Sequence, residues 1–420
     1  MPLTILHIST RLILGGSQEN TVLSCEGQAQ LGHDVHLAFG PIYGPEGSHL
    51  ERVNSFRTDD GRGITTHELP NMVREIHPIK DHFCFHRDLK QLMQKVKPDI
   101  VHTHSSKAGI LGRWAGWVAR DVETKHRPAV IHTIHGPPFM PVEGGFGKRA
   151  AVRVKNAIYT AAERFAADRC DLILSVADAM TDQFRARGIG RDEQYLTVRS
   201  GLETEPFTHP GPGDDRASVR TELGLYDDDF VIGTVARLAE HKGHDDLLDA
   251  LCDELRARPA WKLLWVGNGW WRDRLLGRVA DMGLADQVIT TGLVPNAQVP
   301  RFMRAMDLLA HPSYREGLPR TVPQALLAGV PAVAHDVDGT REICIDALDD
   351  PANATGRLVR AGDHEGLRNA ILWMHKNPEE RRSLGTRGRA FVLREFAAER
   401  MVQRLEEVYH RALELARGAH

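Results

Sequence analysis

Two cations five residues apart, Arg237 and Lys242, follow the apolar run Phe230 to Val235 in this 420-residue chain. Their chemistry suits a diphosphate, because a guanidinium offers a forked pair of donors and an ammonium a compact charge. Alone, such a pair is most simply a solvated surface feature. A second segment adds weight: Glu316-Gly317-Leu318-Pro319-Arg320-Thr321-Val322-Pro323-Gln324 follows another apolar run and opens a helix expected to begin near Pro319. The N–H groups and positive end of such a helix would seat a diphosphate. Glu316 just ahead of it, and Gln324 further in, can accept hydrogen bonds from hydroxyls.

Near the N-terminus, Gly15-Gly16 follows the first strand. Paired glycines let a backbone approach a ligand, and the next helix can face an anion. A tight strand-to-helix turn is the plain alternative. The third glycine of the dinucleotide fingerprint is missing, and no acidic residue ends the strand Val35 to Phe39, so nicotinamide binding is disfavoured. His102, His104, His132 and His135 suggest a metal cluster at first sight. Strand alternation argues against one: His102 and His104 share a face, whereas His132 and His135, an odd number of residues apart, oppose each other. His135, before Gly136-Pro137-Pro138, is instead a candidate to reach a substrate. The cation pair Arg237 and Lys242 can stand in for a divalent ion, so no metal and no other cofactor is expected.

These residues need strands and helices to position them. Leu3 to Ser9, Val35 to Phe39, Ile100 to His104, Ala129 to His135 and Leu172 to Val176 read as strands separated by helical stretches, the rhythm of a parallel sheet. A segment rich in proline and glycine around 200–215 interrupts it. The rhythm then resumes with Phe230 to Val235, Lys262 to Val266, Gln287 to Thr291, Leu308 to Ala310 and Ala332 to Ala334. The chain is long enough for two domains. The expectation is an α/β protein of two Rossmann-like, doubly wound domains, residues 1–200 and 201–395, facing a central cleft whose closure would exclude water. From 397 onward, Met401, Leu405, Val408, Ala412 and Leu415 recur at helical spacing, so 396–420 forms an amphipathic helix in need of a surface.

Bulk properties narrow the class. A formal net charge of -3 gives no general attraction to nucleic acid, and five scattered cysteines without a Cys-x-x-Cys pair favour neither disulfides nor zinc. With no signal-like start and no long apolar run, a cytoplasmic location is expected. The stretch 146–169 has a local excess of four positive charges, so peripheral contact with the inner face of a membrane is a candidate role.

In their order along the chain, these motifs resemble glycosyltransferase family 4, retaining enzymes of the GT-B fold also known as glycosyl transferases group 1. Arg315 to Val333 resembles the family's Glu-x7-Glu signature, Arg237 to Gly243 its Arg-Leu-x3-Lys-Gly pattern, and Val266-Gly267-Asn268-Gly269 its Gly-x-Gly loop. Gly15-Gly16 and His135 fall where the family has its N-terminal glycine loop and cleft histidine, which implies that Gly15 and Gly16 help bind the donor and that His135 is catalytic together with Glu316, Arg237 and Lys242.

The resemblance implies a hexosyltransferase-class enzyme that moves a sugar from a nucleoside-diphosphate sugar to a carbohydrate or lipid-linked acceptor. Arg237 and Lys242 would bind the diphosphate with Thr321 and the backbone of Gly317, Leu318 and Pro319; Glu316 would contact the sugar. Gly267, Asn268 and Val294 would line the nucleotide pocket, and the terminal helix would cross back onto the first domain. The family's second glutamate is here Gln324, which keeps an acceptor for the ribose hydroxyls and adds donors. A two-domain epimerase or phosphorylase, and a binding module without turnover, are the rivals. Against the last, Glu316 and His135 are groups that nucleotide binding alone does not need.

Overall fold

The computed structural model describes residues 1–43, 47–119, 127–136, 138–139 and 146–418. It divides into two compact units, Met1–Leu202 with Ala398–His420, and Glu203–Ala397.

The first unit holds seven strands: β1 (Thr4–Ser9), β2 (Asp34–Phe39), β3 (Thr65–Glu68), β4 (Ile100–His104), β5 (Ala129–Ile134), β6 (Leu172–Ser175) and β7 (Tyr195–Thr197). They pair in parallel in the order β3-β2-β1-β4-β5-β6-β7. Every residue of β4 and β5 is buried, as expected of strands covered on both faces. The helix Ser106–Val118 lies close on the sheet because its facing residues are small: a Cβ at Gly112 would stand 2.7 Å from Thr103 Cγ2.

The terminal helix Ala398–Gly418 belongs to this unit. Its stripe of Met401, Leu405, Val408 and Ala412 packs with Ile5, Leu23, Ile100 and Ile131. Burying each large side chain of that stripe stabilises the docking by about 1.5–3 kcal/mol. Gly27 permits the approach, since a Cβ there would fall 2.3 Å from Val402 Cγ2.

The second unit holds β8 (Phe230–Val235), β9 (Trp261–Val266), β10 (Val288–Gly292), β11 (Leu308–His311), β12 (Ala332–His335) and β13 (Gly356–Val359), parallel in the order β10-β9-β8-β11-β12-β13. Trp261, Trp265, Leu248 and Leu263 anchor its core.

Each sheet reverses its strand order once, between β1 and β4 in the first unit and between β8 and β11 in the second. Ligands of open α/β sheets bind beyond the carboxyl ends of strands at such switch points. Three strands, β3, β7 and β13, escape the sequence reading because they are short and half-exposed, without an apolar run. The helix expected near Pro319 starts instead at Thr321 and ends at Leu327. Two bonds hold the preceding segment as a loop: Glu316 N–H donates to Asp338 Oδ2 at 2.8 Å, and Gly339 N–H to Gly317 O at 3.1 Å. Among the described residues, no helix is long and apolar enough to cross a membrane.

Candidate functional site

Beyond β8 the chain runs through Arg237 and a turn at Glu240–Lys242 into Gly243, whose φ is +69°. A Cβ at Gly243 would lie 1.9 Å from Pro312 O, so only glycine lets this loop press against the one that follows β11. The contact is fixed by Tyr314 N–H donating to His241 O at 2.9 Å and Ser313 Oγ donating to the same carbonyl at 3.2 Å. Across it, Lys242 Nζ meets Glu316 Oε1 at 2.5 Å. His311 Nε2 stands 3.2 Å from the same oxygen, and His311 Nδ1 is 3.2 Å from Thr321 Oγ1. Burial raises the pKa of the Glu316 carboxyl, but His311 and Lys242 outweigh it and hold the group well below the usual carboxylate range. The result is an anchored carboxylate beside a cation.

Arg237 is exposed, with its guanidinium 5.5 Å from the centre of the Trp270 ring. The neighbouring loop after β9 is pinned to it. Gly267 adopts φ +138°, a Cβ there would stand 2.1 Å from Ala236 O, and Leu238 N–H donates to Asn268 O at 3.1 Å. Gly267 N–H in turn donates to Gly292 O at 3.1 Å, which leads to the half-buried Val294. The structure thus gathers Arg237, Lys242, Gly267, Asn268, Val294, Glu316 and Gly317 in the loops along the carboxyl edge of one sheet, with Thr321 at the start of the helix that follows. Leu318 and Gln324 are half-buried on either side of the helix start. Pro319 is buried and has no N–H, so it shapes the loop and cannot donate to an anion. Sequence reasoning missed His311, Asp338 and Trp270. Asp338-Gly339 just past β12 was a readable turn signal, and Asp338 takes φ +46°.

Gly15, Gly16 and His135 lie in the other unit. Gly15 caps the helix Gly16–Gln30 with φ -171°, an extended conformation that needs no glycine, so the pair forms no strained turn, and the Gln18 side chain lies over it, its Oε1 2.7 Å from where a Cβ of Gly15 would stand. Nearby, Thr10 Oγ1 and Ser105 Oγ are 2.7 Å apart, tying the loop after β1 to the loop after β4.

Beneath these loops the histidines separate as alternation predicts. His132 Nδ1 lies 2.9 Å from Thr103 Oγ1 and its ring faces Gly109 of the helix Ser106–Val118. His104 Nδ1 is 3.0 Å from His135 Nε2. His7 of β1, unnoticed in the sequence, completes the cluster, with its Nδ1 2.9 Å from His104 Nε2. Ligating nitrogens of His7, His102 and His104 lie within 4.8 Å of one another, close enough to raise the question of a metal. Their nitrogens are already engaged: His7 Nε2 with Gln28 Oε1 at 2.7 Å, and His102 with Tyr409 and Thr133 at 2.7 Å each. Burial lowers the pKa of His7 to about 4 and holds those of His102 and His104 well below the ordinary value, so the rings are neutral.

Two family models match this chain, Glycosyltransferase Family 4 over residues 14–203 and Glycosyl transferases group 1 over residues 215–391. The UDP-Gal:alpha-D-GlcNAc-diphosphoundecaprenol alpha-1,3-galactosyltransferase of Escherichia coli is 28% identical over 309 residues, 72% of this chain and 73% of that one. The capsular polysaccharide biosynthesis glycosyltransferase CapM of Staphylococcus aureus is 22% identical over 373 residues, 86% of this chain and 90% of that one. Among solved structures, HepE of Anabaena in complex with UDP and glucose superposes with a TM-score of 0.74 at 19% identity, covering 97% of this chain and 99% of its own.

Proposed function

This chain belongs to glycosyltransferase family 4 and has the two parallel-sheet domains of the GT-B fold, and on that premise we propose that it transfers a sugar from a nucleoside-diphosphate donor, held by the second unit, to a hydroxyl of an acceptor held by the first. The observation that carries this reading is the Lys242–Glu316 pair at the β8/β11 switch point, with Arg237 exposed beside it. Two cations and a carboxylate are what a sugar diphosphate requires. As the bond from sugar to phosphate breaks, negative charge grows on the diphosphate, and Arg237 and Lys242 stabilise it. The Thr321 hydroxyl and the Leu318 N–H add donors. When the diphosphate takes Lys242, the Glu316 carboxylate is released to accept hydrogen bonds from sugar hydroxyls. Gln324 receives the ribose hydroxyls.

The two side-chain cations take the place of a divalent ion, so turnover needs no metal. Transfer retains the anomeric configuration: the acceptor attacks from the face that the diphosphate leaves, and the departing phosphate takes the acceptor's proton. His135, at the end of β5, orients the acceptor hydroxyl. A lipid-linked acceptor is supported by the substrate in the name of the Escherichia coli relative and by the helix Phe146–Ala167. That helix exposes Val154 (61%) and Ile158 (59%) among Lys148, Arg149, Arg153 and Lys155, a face suited to an anionic lipid surface.

The test is to incubate the full chain with a panel of nucleoside-diphosphate sugars, with and without lipid-linked and free sugar acceptors, following nucleoside diphosphate release and product configuration. Acceptor-dependent release with an α-configured product from an α-linked donor supports the reading. Release without transfer, an epimerised sugar, or no release from any donor contradicts it.

A further inference from the structure

We propose that the amide of Gln28 sets the tautomer of His135, acting through His7 and His104, and thereby decides whether His135 Nδ1 accepts or donates a hydrogen bond. The proposal rests on the reading above that His135 orients the acceptor. Gln28 lies on the helix Gly16–Gln30 and is fully buried, as are His7 and Tyr409, while His102 and His104 are 1% exposed.

A neutral imidazole has one N–H and one lone pair, so a ring that accepts at one nitrogen must donate at the other. Gln28 Oε1 carries no proton, so His7 Nε2 donates to it across 2.7 Å. His7 Nδ1 is then a lone pair and accepts from His104 Nε2 at 2.9 Å. His104 Nδ1 is left to accept from His135 Nε2 at 3.0 Å. His135 is then protonated on Nε2 and has its lone pair on Nδ1, the form that accepts a hydrogen bond from an acceptor hydroxyl.

The other end of the amide orders a second arm. Gln28 Nε2 donates to Tyr409 Oη at 2.9 Å, the tyrosine hydroxyl donates to His102 Nδ1 at 2.7 Å, and His102 Nε2 donates to Thr133 Oγ1 at 2.7 Å. The Thr133 hydroxyl can donate or accept, so it imposes no direction. Within these two arms the Gln28 amide is the member with a dedicated donor at one end and a dedicated acceptor at the other. Turning it over would reverse every bond in both arms. The terminal helix, through Tyr409, holds the amide's donor end and so joins the last residues of the chain to His135.

The experiment uses the whole 420-residue chain labelled with ¹⁵N in histidine, in which nitrogen shifts separate protonated from unprotonated ring atoms. The His135 signals are assigned by their loss in His135→Gln. Wild type is expected to carry the proton on Nε2. Gln28→Glu keeps an acceptor opposite His7 and should keep that form. Gln28→Leu removes the acceptor; a buried lone pair without a partner costs less than a buried N–H without one, so the proton should move toward His135 Nδ1. Tyr409→Phe, a milder change that frees only the amide's donor end, should make a second His135 tautomer appear, and it serves if Gln28→Leu does not fold.

A His135 tautomer identical in wild type and in the folded Leu or Phe variant overturns the proposal. So does Nδ1 protonation in the wild type, or binding of one equivalent of Zn²⁺ through His7, His102 and His104, which would make the rings ligands. Turnover of Gln28→Leu is measured alongside and should fall, by up to about 10²-fold, the scale for misplacing a reacting group. A shifted tautomer with unchanged turnover would leave the relay standing and refute the role given to His135.

Discussion

The two switch points are built from opposite materials. The β8/β11 point of the second unit is ionic, with Lys242 and Glu316 in contact, His311 beside them and Arg237 exposed nearby. The β1/β4 point of the first unit rests on neutral imidazoles whose bonds run through Gln28 and Tyr409 without a formal charge. The difference follows the chemistry assigned to each. A departing diphosphate gains negative charge and calls for fixed cations, whereas an acceptor hydroxyl needs direction more than charge. Neutral rings supply direction at low electrostatic cost, because burying an ion without a partner is expensive and burying a satisfied imidazole is not.

The largest effect should come from the ionic side. Glu316→Ala is expected to lower turnover about 10²-fold or more, the scale for losing one charge-organising contact, while nucleoside diphosphate binds at least as tightly because Lys242 has lost its competing partner. Steady-state kinetics set beside calorimetry separates the two quantities. Unchanged turnover in the folded variant would remove Glu316 from the reaction.

On the neutral side the expected signal is stability against pH. His7 titrates at about 4 in the folded chain, below the ordinary 6.5 expected after unfolding, so unfolding takes up a proton between those values. The stabilisation is complete above pH 6.5 and is lost as pH falls toward 4, on the order of 3 kcal/mol from this ring. Urea unfolding at pH 7 and pH 4 should show a drop smaller by about that amount in His7→Asn. Equal drops in both proteins would mean that His7 is not held neutral.

Smaller still is the contribution of Gln324. Replacing it with leucine leaves ribose hydroxyls without a partner, at about 1–3 kcal/mol, or roughly 5- to 150-fold weaker donor binding. The penalty should shrink for a 2′,3′-dideoxyribose donor. Equal penalties for both donors would show that Gln324 does not touch the ribose. At the bottom of the scale, EDTA should leave turnover unchanged. Loss of activity that only magnesium or manganese restores would break the comparison by placing an ion where Arg237 and Lys242 are assigned.

How far the sequence foretold this arrangement depends on whether a feature is local. Buried strands such as β8 and β11 announce themselves as apolar runs, and the terminal helix does so by its stripe. The edge strand β3 does not, because Thr65–Glu68 is half-exposed and polar. Alternation alone placed His102 and His104 on one face and set His132 against His135. It could not name His7, 97 residues before its partner His104, because only the strand order β1 beside β4 brings them together. The spacing of Arg237 and Lys242 suggested an anion site, but the pairing of Lys242 with Glu316 across 74 residues came from two loops meeting at Gly243. Residue type was legible. The partnerships that tune each group were set by tertiary contacts.

The central claim, that the ionic switch point binds the donor diphosphate and the neutral one does not, is tested most directly by titrating a nucleoside diphosphate into wild type, Lys242→Ala and His135→Ala by calorimetry. Losing a charge-assisted contact is worth about 1.5–3 kcal/mol, so Lys242→Ala should bind roughly tenfold or more weakly, with the Glu316 carboxylate left to repel the ligand, while His135→Ala should bind as wild type does. Wild-type affinity in Lys242→Ala, or lost affinity in His135→Ala, would contradict it.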